Sequence, residues 1–259
     1  MNGQSEPVSS WETVTEIIRT GLDFFWPPVC CFCRRIHQPI AAHPGICRFC
    51  LAQLPLRFGR EQRLAWPEMR LRATGSRGPV YCAAYYRGPV REVLIRLKFA
   101  PAPEFSVAVA SLMCLPLKQH PVEPSPAAVV AVPLHADRLR ERGFNQAGLL
   151  ASLIASRLSL PDLSHGFRRV RATRRQSELP GRAERLMNLT GAFKLDRPVW
   201  QRWLLAEKTA RDPKKQTILL VDDVLTTGAT LQAAAEPLLQ AGFRVTGLVA
   251  ASNSNAFFD

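Results

Sequence analysis

The chain predicts an α/β fold: a parallel sheet flanked by helices, with a small four-cysteine segment ahead of it. Three observations carry this. Short apolar runs at Ala128–Val132, Thr217–Val221 and Arg244–Ala250 alternate with segments of helical periodicity, the pattern of strands buried on both faces of a parallel sheet. Cys30-x-x-Cys33 is followed, thirteen residues on, by Cys47-x-x-Cys50. The 259 residues suffice for one α/β domain with an appendage and a sizeable core.

Taken in order, residues 1–26 form a leader. Within it Trp11–Trp26 reads as a short amphipathic helix interrupted by Glu12, Glu16, Arg19 and Asp23. It lacks the basic start and small-residue cleavage site of a signal peptide. No apolar run reaches the roughly 18 residues of a membrane span, so a cytoplasmic protein is expected.

Residues 27–56 hold the two cysteine knuckles, which offer four thiolates to one tetrahedral zinc ion. Pro39, Pro44 and Gly45 make the intervening stretch turn-rich, so it needs the metal's binding energy to fold. Disulfides are the alternative, and they suit a cytoplasmic chain poorly. Cys31 leaves an ambiguity, because it adjoins Cys30 and only Cys30 has the usual gap to Cys33. His37 and His43 are spare candidates expected to face solvent. Four thiolates close the site, so its role is structural. Cys82 and Cys114 read as core residues.

Residues 57–78 read as a polar linker, and 79–259 as the main domain. Its expected elements begin with a strand at Val80–Tyr86 and a helix at Pro89–Phe99, with Val93, Leu94 and Leu97 at helical spacing. A second helix follows at Phe105–Leu117. The strand Ala128–Val132 ends in Pro133-Leu134-His135, and the run Arg142-Gly143-Phe144-Asn145-Gln146 opens a helix reaching about Leu158. Asp196–Gln216 carries Trp200, Trp203, Leu204 and Leu205, then Lys208, Arg211, Lys214 and Lys215. It reads either as a small helix packed on the core or as a contact surface. A last helix is expected over Ala229–Leu239. There are no internal repeats.

The most informative stretch is Ile218-Leu219-Leu220-Val221-Asp222-Asp223-Val224-Leu225-Thr226-Thr227-Gly228-Ala229-Thr230. A strand, a tight loop and a helix N-terminus make an anion site. Free N–H groups and the helix dipole face the loop, and threonine hydroxyls add donors. Gly228 permits close backbone approach. The aspartates suit sugar hydroxyls, so phosphate and ribose side by side indicate a ribose 5-phosphate. The plainer reading is a strand and a capped helix with ordinary loop acids.

Basic charge gathers elsewhere. The net charge is +13, and between Arg138 and Arg185 stand eleven arginines and four acids. This is either a solvated basic face, open to nucleic acid, or a pocket for a multiply charged phosphate ester, whose geometry the guanidinium fork matches. The cluster begins at a strand end, where open α/β sheets bind ligands, and this favours the pocket.

The Ile218–Thr230 stretch resembles the 5-phosphoribosyl-1-pyrophosphate (PRPP) motif of type I phosphoribosyltransferases. Together with the cysteine knuckles, Val132-Pro133-Leu134-His135, Arg142–Gln146, Arg171-x-x-Arg174-x-Gln176-x-x-Leu179-x-x-Arg182, Asn188 and Gly191-Ala192-Phe193, it is similar to the ComF family over about residues 27–252. The resemblance implies a type I phosphoribosyltransferase-like domain behind a zinc ribbon. Asp222 and Asp223 would hold the ribose and stabilise charge at its anomeric carbon, and Thr226, Thr227, Gly228, Ala229 and Thr230 would wrap the 5-phosphate. His135 and Arg138 would belong to the pyrophosphate loop, with Arg142, Asn145 and Gln146 on the same side. Arg174, Gln176 and Arg182 would lie on a loop that closes over PRPP. Magnesium would bridge pyrophosphate and ribose oxygens. Leu225 departs from the tyrosine common in the family, and Asp196–Gln216 is longer than usual.

Three classes of function are compatible with these features. One is a PRPP-binding ComF-type protein linked to DNA uptake in natural transformation. Another is a metabolic phosphoribosyltransferase with an unidentified nitrogenous acceptor. The third is a zinc-ribbon nucleic-acid-binding protein with a vestigial PRPP site; single-stranded DNA or the DNA-uptake machinery are the further partners considered. Intact Asp222, Asp223 and Gly228 favour PRPP binding.

Overall fold

The computed structural model describes residues 27–38, 40–66, 75–99, 103–171, 188–206, 212 and 216–255. The leader, the candidates Arg174, Gln176 and Arg182, and Lys208, Arg211, Lys214 and Lys215 lie outside them.

The strands are β1 (Arg63–Leu64), β2 (Arg77–Tyr85), β3 (Pro126–Ala131), β4 (Phe167–Arg169), β5 (Phe193–Leu195), β6 (Thr217–Leu225) and β7 (Arg244–Ser252). The helices are α1 (Arg48–Gln53), α2 (Gly88–Phe99), α3 (Pro103–Gln119), α4 (Ala136–Arg142), α5 (Gln146–Leu158), α6 (Arg197–Ala206) and α7 (Ala229–Gln240). The main sheet has the order β1-β2-β7-β6-β3. Its β2–β7, β7–β6 and β6–β3 pairs are parallel, as expected from the apolar runs, and β1 is antiparallel. β4 and β5 form a separate antiparallel pair.

Alternation along the strands feeds two apolar layers. Tyr81, Val129, Leu219, Val221 and Leu248 face α2, α3 and α5 in one cluster. Val80, Val130, Ile218, Leu220 and Val249 face α7, α6 and the β4–β5 pair in the other. Parallel strands covered on both faces have no polar side, which is why these segments read as unbroken apolar runs.

Four local features have physical causes, some expected and some not. The helix opened by the Arg142–Gln146 run is α5, as expected, but a further short helix, α4, precedes it and ends where Gly143 turns left-handed at φ 78°. Residues 57–66 are not a free polar tether. Arg57 is fully buried, its guanidinium donating to the Ser252 and Ser254 carbonyls at 2.8 Å and stacking 4.0 Å over Tyr85. Asp196–Gln216 contributes α6, packed on the core: Trp200 and Trp203 lie 5.1 and 6.2 Å from Phe243, and Trp200 Nε1 donates to the Gly166 carbonyl at 2.8 Å. His43 does not face solvent. It is buried, its Nδ1 3.2 Å from Ser111 Oγ, and burial lowers its pKa, with Lys118 and Arg157 adding to the shift.

Both edges of the main sheet are occupied by backbone. Beside β2 run β1, the Leu56–Ala84 bridge and the Arg57 N–H to Ala83 carbonyl bond of 2.9 Å. Beside β3, the Val129 N–H bonds the Pro161 carbonyl, the Val129 carbonyl takes the Leu163 N–H, and Ser164 Oγ takes the Ala131 N–H.

Candidate functional site

The site is built where β6 outruns β3. Ala131, the last residue of β3, pairs with Val221, whereas β6 continues beside β7 through Asp222↔Val249, Val224↔Ala251 and Leu225↔Ser252. The acid pair thus stands on the strand itself, on an overhang with a neighbour on one side only. Val132 makes the last link, donating to the Val221 carbonyl at 2.8 Å, and Pro133 then leads the chain away. The space this opens is a cleft of about 230 Å³.

Sequence-expected residues converge there. Asp222, Asp223, Thr226 and Thr230 line one wall, and Arg138, Arg142, Asn145 and Gln146 the other. The second wall is fixed by its own hydrogen bonds: Asn145 Nδ2 donates to the Val132 carbonyl at 3.1 Å, and Arg142 Nη1 to Gln146 Oε1 at 3.0 Å. Asp222 Oδ1 accepts from the Asp223 N–H at 2.9 Å, and Asp223 Oδ1 from the Val224 N–H at 2.8 Å. Burial, and then the charge of Asp223, push the Asp222 carboxyl well above the usual carboxylate range.

Below the acids the chain turns through Gly228, at φ 75°, into α7. No side chain caps that helix. Thr227 Oγ1 is buried there without a hydrogen-bond partner. A buried donor left unpaired is costly unless something polar reaches it.

His135 behaves differently. Its Nδ1 accepts from the Asp137 N–H at 3.3 Å and lies 3.1 Å from the Asp137 carboxylate, so it caps α4 and does not line the cleft. Thr227, Gly228 and Ala229 also stand outside the lining; Ala229 is buried beneath α7's first turn.

Tyr86, Lys98 and Arg169 line the cleft and were not singled out from sequence. Arg169 lies 5.5 Å over the Phe193 ring, presented by the β4–β5 pair. Its pKa is brought down to about 10 by burial and then by Arg138, with Asp222 opposing, so it remains a cation at neutral pH. The signal for Arg169 was its place in the arginine-rich stretch. For Lys98 the signal was the basic end of a helix leading toward the sheet's ligand side.

The second site is the cysteine cluster. The sulfurs of Cys30, Cys33, Cys47 and Cys50 all lie within 4.8 Å of one another, as ligands of one ion must. Burial opposes ionisation of Cys30, but N–H groups of Cys33, Cys47 and Phe32 converge on its sulfur and bring the thiol down to about 6. Cys31 points away into the core, and burial pushes its thiol up to about 12. The chemistry of the set fits zinc or a similar thiophilic ion. No helix among the described residues is long and apolar enough to cross a membrane.

Comparison with known proteins agrees with this architecture. Residues 145–255 match the model of the phosphoribosyl transferase domain. The chain is 31% identical over 233 residues to DNA utilization protein YhgH of Escherichia coli K12, covering 83% of this chain and 92% of that protein. The chain belongs to the ComF family. Within that family it is also 29% identical over 219 residues to Competence protein F of Haemophilus influenzae, covering 83% of this chain and 80% of that one.

Proposed function

We propose that this ComF-family chain binds PRPP with magnesium in the β6 cleft, holds zinc in its cysteine cluster, and serves DNA utilization or competence from the cytoplasm. The observation that carries the reading is the convergence, in one cleft, of two carboxylates, two arginines on the facing wall and the threonines leading into α7. Asp222 and Asp223 accept hydrogen bonds from the ribose hydroxyls. The α7 amides, with Thr226, Thr227 and Thr230, take the 5-phosphate. Arg138, Arg142 and Arg169 face the pyrophosphate. Magnesium, when bound, would supply charge neutralisation to the phosphates, whose oxygens hard cations prefer. The link to DNA comes from the relatives' names.

Calorimetric titration of PRPP with magnesium into zinc-loaded protein tests this, beside the Asp222→Asn, Asp223→Asn double variant. Binding confined to the unmutated chain supports the reading and opens an acceptor screen by pyrophosphate release. No binding at millimolar PRPP overturns it.

A second reading is favoured by Phe49, which is 66% exposed and shares a hollow with Arg35 beside the cysteines. An exposed ring with a cation can stack single-stranded nucleic acid. That binding would fall steeply with salt and ignore the aspartate substitutions.

A further inference from the structure

The acid pair of the cleft already has a cation beside it. Lys98, near the end of α2, places Nζ 3.4 Å from Oδ2 of Asp223, and both residues line the cleft. The other oxygen of Asp223 takes the Val224 N–H. The two side chains are 29% and 17% exposed, so the pair is neither on open surface nor sealed from ligand. Arg169, across the cleft, stands in the field of Asp222.

Two carboxylates on successive residues at the wall of a cleft would otherwise attract a divalent ion, because hard cations take carboxylate oxygens readily. An ammonium at contact distance opposes this by occupying Oδ2 and cancelling charge. It does not oppose a sugar. A hydroxyl both donates and accepts, so it can give its proton to Asp223 and take one from Lys98.

We infer that Lys98 is the resident counter-ion of the acid pair, keeping divalent cations off Asp222 and Asp223 so that both remain free for hydroxyl groups. Magnesium would then arrive with the ligand's phosphates. Lys98 is in this sense a positioning residue for Asp223. Its consequence for ligand rests on the phosphoribosyl reading above; its effect on metal does not.

The test titrates manganese into zinc-loaded protein without any phosphorylated ligand, read by water-proton relaxation. Lys98→Gln should bind manganese roughly tenfold more tightly than the unmutated chain. Lys98→Arg, which keeps the charge, should match the unmutated chain. Adding Asp222→Asn and Asp223→Asn to Lys98→Gln should abolish the gain. Unchanged manganese affinity in Lys98→Gln, or a gain that survives loss of both carboxylates, overturns the inference. Circular dichroism checks folding, and Lys98→Met, which keeps the apolar stem, repeats the test if the glutamine variant does not fold. PRPP titration of the unmutated chain reports separately. Failure to bind PRPP with a manganese gain in Lys98→Gln removes the function and keeps the counter-ion. PRPP binding with no manganese gain removes the counter-ion alone.

Discussion

Thr227 carries a buried hydroxyl with no partner in the folded chain. Replacing it with valine removes an uncompensated polar atom, so Thr227→Val should leave ligand-free stability unchanged or raise it by about 1 kcal/mol. If the hydroxyl awaits a phosphate oxygen, the same change should weaken PRPP binding by roughly tenfold. Thermal melts and calorimetry on one preparation would check both. Asp222 gives a pH prediction of definite sign. Its folded pKa lies above its unfolded one, chiefly through burial, so between the two the native state holds more protons than the unfolded chain. Stability is then lost as pH rises from about 4 through the folded pKa. Asp222→Asn should therefore be more stable than the unmutated chain at neutral pH, the difference shrinking toward about pH 4 in denaturant melts across pH. At this scale the sequence was legible where neighbours in the chain share the cleft, as do Asp222, Asp223, Thr226 and Thr230. It gave no signal for Tyr86 and only a diffuse one for Lys98 and Arg169, which reach the cleft from distant segments and share no spacing with the motif.

The β6 overhang shows how an element makes a site. A strand that outruns its neighbour presents two consecutive residues with only one side paired, and the cleft is the missing strand's place. Sequence reading ended this strand at Val221, because an acid pair does not resemble a buried strand; tertiary pairing with β7 carried it four residues further. Helix α4, the short element that Gly143 ends, was not read from the sequence. A glycine inside a helical pattern is usually tolerated, and only its left-handed φ identifies a terminus. Helix α6 was legible as apolar but not as core until Trp200 and Trp203 were seen against Phe243. Its weight can be measured. Trp200→Ala should cost about 3–5 kcal/mol in urea unfolding. Trp200→Phe should cost less, while still removing the bond to Gly166.

At the scale of the whole molecule the cysteine segment is not a pendant. Cys31, Ile46 and Leu54 belong to the same apolar cluster as Leu94, Leu97 and Phe105 of α2 and α3, and His43 bonds Ser111 of α3. Chelating the metal should accordingly lower the Tm of the single main transition and not produce a separate early one. Cys30→Ala should lose the ion, whereas Cys31→Ala should keep it and lose only packing, as metal analysis and melts would show. Two Cys-x-x-Cys pairs announced this cluster in sequence, but its docking could not be read there, since the docking residues are isolated among turns. The covered margins of the main sheet have a consequence for assembly. With β1 and the Leu56–Arg57 segment along β2, and residues 161–164 along β3, the described sheet offers no continuous row of unpaired amides to an incoming strand. Among the described residues, a second copy or a strand from another protein finds no long free margin along which to extend it. Covered margins of this kind guard a chain rich in β-forming runs against polymerising edge to edge along β2 and β3.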